Sequence, residues 1–141
     1  MTKQNLAGLC LFLLLLGPLG CGGDRPQTVP VRGKITFGGG PCPAAGFIDF
    51  QPIEPAEGYP SRPGSGEFAE DGSYTVTSYE PGDGLVPGRY RVHIECWQEL
   101  PDEASMSPGV SYVPEDFAPD ELVVDPAAKG PVVRNYDIPQ P

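Results

Sequence analysis

Residues 74–97 read YTVTSYEPGDGLVPGRYRVHIECW, and the fold turns on how this stretch is understood. Its second half alternates without a break. Tyr90, Val92, Ile94 and Cys96 fall on one side of an extended chain, and Arg89, Arg91, His93, Glu95 and Trp97 on the other. Successive side chains of a strand point to opposite faces, so the pattern predicts a half-buried strand. The first half alternates more briefly, and between the two lies EPGDGLVPG, Glu80–Gly88. Pro81 and Pro87 preset φ, while Gly82, Gly84 and Gly88 permit turn conformations that other side chains resist. Asp83 suits an Asx-turn, and Leu85 and Val86 suit a loop pinned to the end of a sandwich. The run predicts a connection between two antiparallel strands, Ser73–Ser78 and Gly88–Trp97. A phosphate loop is excluded, because the run lacks the lysine and Asp83 would repel the anion.

Outward from this centre the same period recurs. VPVRGKITF sets Val29, Val31, Gly33, Ile35 and Phe37 against Arg32, Lys34 and Thr36; FIDFQP sets Ile48 and Phe50 against Phe47, Asp49 and Gln51. Asp71-Gly72 predicts a tight turn joining Phe68 to Tyr74 and Val76. IEPAEGYPSRPGS, residues 53–65, reads as a loop, and ELVVD and PVVRNYDIP supply the last two strands. No segment carries a convincing helical stripe. About seven short strands at this spacing predict an all-β fold, a seven-stranded antiparallel β-sandwich over residues 29–139. Gly and Pro make 19 residues each of the 141, a share that in chains without alternation signals disorder; here it fits many tight turns.

The first 24 residues, MTKQNLAGLCLFLLLLGPLGCGGD, have one cation, an apolar core from Leu6 to Leu16, small residues and then Cys21. A core of about 11 residues is too short to span about 30 Å of hydrocarbon and fits the h-region of an export signal. The segment resembles a bacterial lipobox. That resemblance implies cleavage after residue 20 and acylation of Cys21, which would anchor the chain to a membrane; Gly22, where an Asp would favour inner-membrane retention, leans the expectation to the outer membrane. Residues 1–20 then form a lipoprotein signal peptide and residues 21–28 a short lipidated tether. Only Cys42 and Cys96 remain in the domain. An even pair in an exported chain is expected to form a disulfide, the alternative being two unrelated buried thiols.

The net charge is −10 with nine basic residues. That disfavours nucleic acid, which demands clustered Lys and Arg. Calcium needs several converging oxygens; Glu70, Asp71, Glu80 and Asp83 are the acids nearest to such a loop, but no D-x-[DN]-x-[DN]-G pattern is present. Cys42, Cys96 and His93 do not form a recognisable zinc set. His93, the sole histidine, lies mid-strand without a nucleophile partner, so no catalytic residue, metal or cofactor is expected. Trp97 and Tyr79, with Tyr59 and Phe47 behind them, are the aromatics a glycan platform would use.

The stretches VRGKITFGGGPCPAAGFIDFQP, FAEDGSYTVTSYEPGDGLVPGRYRVHI and SYVPEDFAPDELVVD resemble small planctomycete-type lipoproteins with a carboxypeptidase-regulatory-like, or transthyretin-like, domain. The opening strand Val31–Phe37, the hairpin Asp71–Tyr74, the connection Pro81–Tyr90 and the run Val113–Phe117 carry the likeness. Leu85 departs from the small residue usual after PGDG. The resemblance implies a prealbumin-like sandwich without established catalytic residues. The functional expectation is a non-enzymatic, lipid-anchored cell-envelope protein, structural or protein-interacting, with other envelope proteins as partners. The rival expectation is a surface lipoprotein that binds a glycan or calcium.

Overall fold

The computed structural model describes residues 23–140; the expected signal segment and Cys21 lie outside the described residues. Ten strands and no helix are present among them. They are β1 (Val31–Phe37), β2 (Gly46–Pro55), β3 (Gly64–Phe68), β4 (Ser73–Thr75), β5 (Gly88–Glu95), β6 (Trp97–Glu99), β7 (Val110–Ser111), β8 (Leu122–Val124), β9 (Val132–Val133) and β10 (Tyr136–Ile138). The main hydrogen-bonded path runs β10-β1-β4-β3-β2-β5-β8, with β9 also on β1; β6 and β7 form a separate pair. β3 and β4 meet in a hairpin. Phe68 pairs Tyr74 there, and an outlying bridge joins Ser65 to Thr77. The result is all-β and partly sandwich-like, partly barrel-like.

The alternation seen in the sequence decides what is buried. Val29 just before β1 and Val31, Ile35 and Phe37 within it meet Ile48 and Phe50 from β2, and Tyr90, Val92, Ile94 and Cys96 from β5 and the residue after it, all in one core. Phe50 and Tyr74 hold their rings 6.4 Å apart across it. Each such fully buried large side chain contributes roughly 1.5–3 kcal/mol of transfer free energy. Tyr90 stands at the start of β5 and donates its hydroxyl to the Val86 carbonyl at 2.6 Å. This is the geometry of the tyrosine corner found in Greek-key sandwiches. Burial pushes that phenol up to about 12.

The observed strands differ from the expected seven antiparallel ones in three places. β4 and β5 do not pair with each other; β4 lies between β1 and β3, and β5 between β2 and β8. Glu80–Gly88 therefore crosses from one part of the sheet to the other. Second, PVVRNYDIP breaks into β9 and β10, and both run parallel to β1. The break has a cause: the Asn135 carboxamide oxygen accepts the Lys34 amide at 2.9 Å, taking a backbone partner's place in the ladder. Third, β2 runs on through Pro52 and Pro55 into the expected loop, because a register shift between Pro52 and Glu54 lets the strand keep pairing with β5.

One long axis follows from these pairings. Val29 bridges Leu85 at the end where β5 begins, so the tether leaves at the pole of the Glu80–Gly88 crossing. β5 runs from there to the far pole, about 25 Å away at 3.3 Å per residue. The Ala69–Gly72 turn, Cys42 and Cys96 sit at that far end. Gly72 is in the left-handed region (φ 77°), and a Cβ there would stand 1.9 Å from the Ile35 carbonyl oxygen, so only glycine fits.

Candidate functional site

The crossing Glu80–Gly88 is the most ligand-like loop in the sequence, and its polar groups are spent internally. The Asp83 carboxylate accepts the amides of Ser78 (2.8 Å), Tyr79 (3.1 Å) and Glu80 (3.1 Å). It thus reaches back along the chain, where an Asx-turn would reach forward. Ser78 donates its hydroxyl to the Gly84 carbonyl at 2.7 Å, and Thr77 accepts the Gly82 amide at 3.0 Å. Leu85 and Val86 are fully buried, as the reading of the loop as pinned requires. Arg62 stacks on Tyr79, its Cζ 4.5 Å from the ring centroid, and donates to the Ser78 carbonyl. Glu80 pairs with Arg25 of the tether. The crossing is a lock for the tether pole.

The acids considered for calcium are divided between the poles. Asp83 and Glu80 are at the tether pole, while Asp71 caps the Ser73 amide in the far turn beside Glu70. Among the described residues no group of three His, Cys, Asp or Glu side chains converges as a metal set. Trp97 and Tyr79 are likewise held apart, one past the end of β5 and the other beside its start, so the two rings do not share a platform.

Cys42 and Cys96 are both buried free thiols in this structure. Cys42 Sγ donates to the Ile35 carbonyl at 3.3 Å, and Cys96 Sγ to the Ala44 carbonyl at 3.5 Å. Burial, with Cys96 nearby, pushes the Cys42 thiol up to about 11. Burial also raises the Cys96 thiol. Such thiols are poor nucleophiles and poor metal ligands at neutral pH.

The exposed face of β2 and β5 near the far pole carries the cluster that strand parity predicts but that was not singled out as a site. Register places Asp49 between His93 on β5 and Ser65 on β3, and Phe47 beside Glu95. His93 Nε2 lies 3.2 Å from Glu95 Oε1, and Trp97 Nε1 donates to Glu95 Oε2 at 3.2 Å. Phe47 is half exposed. Asp49 titrates above its ordinary value, first through burial and then through Glu95, with His93 opposing. A serine, a carboxylate and a histidine share one cross-strand row, but in the wrong order for hydrolysis. The carboxylate stands in the middle, so the imidazole strand is two strand spacings, about 9.6 Å, from the serine strand and cannot take its proton. The row can accept and donate hydrogen bonds to a polar partner on an open sheet face.

The chain matches no family model, no curated protein and no solved structure.

Proposed function

We propose that this chain is a non-enzymatic, lipid-anchored β-sandwich of the cell envelope, serving as a structural or protein-interaction module. Its fold is read as a variant of the prealbumin-like, transthyretin-like sandwich in which β9 and β10 join β1 in parallel, and its anchor as acylated Cys21, most simply in the outer membrane. One observation carries the reading. Residues 23–28 leave the tether pole outside any strand, and the chain enters the sheet only at Val29. Cys21 lies just beyond, so an acyl anchor there holds the domain close to a bilayer without disturbing the core. Multiple acyl chains give stable anchoring, each buried CH2 contributing about 0.8 kcal/mol.

Mass spectrometry of the mature protein tests this directly. The expected N-terminal peptide begins at Cys21 and carries a diacylglyceryl group, and Cys21→Ser moves the protein out of the membrane fraction. An unmodified Cys21 overturns the anchor.

A further inference from the structure

The β6–β7 hairpin is the one paired element among the described residues that stands outside the main sheet. Trp97 pairs Ser111 and Glu99 pairs Val110 at its base, and an outer bridge joins Asp102 to Ser107. The tip is built with care. Asp102 accepts the Ala104 amide at 3.0 Å and the Ser105 hydroxyl at 2.7 Å, and Asp102 and Ser107 exchange backbone hydrogen bonds at 3.0 and 2.9 Å. Yet every residue from Gln98 to Pro108 is exposed, so none of them is buried against the domain. A lone two-stranded hairpin is marginal in water, and its usual support is a buried apolar face.

This arm holds its apolar side chains outward. Leu100 is 72% exposed and Met106 is 86% exposed, with Val110 at 43% beside them. Met106 sits at φ 56°, the one described residue other than glycine in the left-handed region. Asn or Gly would occupy that position at lower cost, and Met gains no packing within the domain in return. Charge limits what covers the tip. Residues 92–128 hold nine acidic side chains and no Lys or Arg, and Glu99, Asp102 and Glu103 belong to the arm. Anionic headgroups would be repelled, and a second copy would bring a net charge of −10 against −10. The arm also emerges at the pole opposite the tether, facing away from an anchoring membrane.

We infer that the β6–β7 arm docks a basic protein surface bearing an apolar recess. Leu100 and Met106 enter the recess, and Glu99 and Glu103 meet the Lys and Arg residues around it. The inference rests on the interaction-module reading and gives it a surface and a partner class. An arm of this size fits a small, transient interface.

The test is photo-crosslinking in intact cells, with a benzophenone amino acid in place of Leu100 in the full chain. The expected adduct is with one other protein, at peptides rich in Lys and Arg, and it disappears in Glu99→Gln/Glu103→Gln. With that partner purified, Met106→Ser and the double Gln variant each raise Kd about tenfold, and added salt does the same. An unchanged thermal midpoint shows that the variants remain folded. Adducts with lipid, with this chain itself or with nothing overturn the proposal, as does an adduct indifferent to the two glutamates. Crosslinking that survives in a protein with unmodified Cys21 keeps the arm and discards the anchor.

Discussion

Asp83 shows how one side chain turns a suspected ligand loop into a fastening. Three amides converge on its carboxylate, and charge-assisted bonds of this kind are about twice as strong as neutral ones. Asp83→Ala is expected to lower stability by about 1–3 kcal/mol in urea unfolding, since it strands two partly buried donors and frees one exposed one, and Asp83→Asn by less. A loss below a few tenths of a kcal/mol would mean that the loop does not depend on this cap. Asp83 was legible as a turn residue, because short acids favour such positions. The direction of its bonds was not, because that depends on Gly84 coming close to Val29. A Cβ on Gly84 would lie 1.8 Å from the Val29 carbonyl oxygen, and Val29 is 55 residues earlier in the chain.

At the level of strands, parity read from the sequence assigned the inward and outward faces of β1, β2 and β5 correctly. A period of two is a local property, so it survives without knowledge of partners. Pairing is not local. Nothing in the alternation of SYTVTS and GRYRVHIECW separates a hairpin from a crossing, and nothing in PVVRNYDIP announces that Asn135 interrupts it. The polar row across β2 and β5 was half visible for the same reason: His93, Glu95 and Trp97 shared a face in the sequence, while Asp49 joined them only through register. That row yields a pH dependence. Because Asp49 titrates above its ordinary 3.8, the folded state holds its proton where the unfolded chain has released it. Stability therefore falls as pH rises through that window. Asp49→Asn removes the penalty, so the variant should be at least as stable as the parent at pH 7, with the difference vanishing below pH 3.8. Thermal midpoints measured across pH 3 to 7 check the sign; a variant less stable at pH 7 contradicts it.

For the molecule as a whole, cysteine chemistry reports folding and processing together. Of the four cysteines, Cys10 lies in the expected signal and Cys21 at the expected acylation site, leaving two buried thiols. Native protein at pH 8 should resist a thiol reagent, because burial holds Cys42 near 11 and shields both sulfurs. Unfolded without reductant, a chain processed and acylated at Cys21 as proposed should titrate two thiols; none would show that the pair is oxidised in its compartment. The all-β class was legible because it is written in composition and short-range pattern. The exposed arm was not, because exposure depends on what the rest of the chain fails to cover.

The opposed poles have a mechanical consequence. A pull between the tether and the arm enters the sheet along β1, whose axis lies in the direction of load, with β4 antiparallel on one side and β9 and β10 parallel on the other. The ladder bonds then lie across the force and resist it together, in shear, whereas a strand peeled from its edge would lose them one by one. If the two ends are the points of attachment, the domain is built to bear tension, and its resistance depends on the direction of pulling.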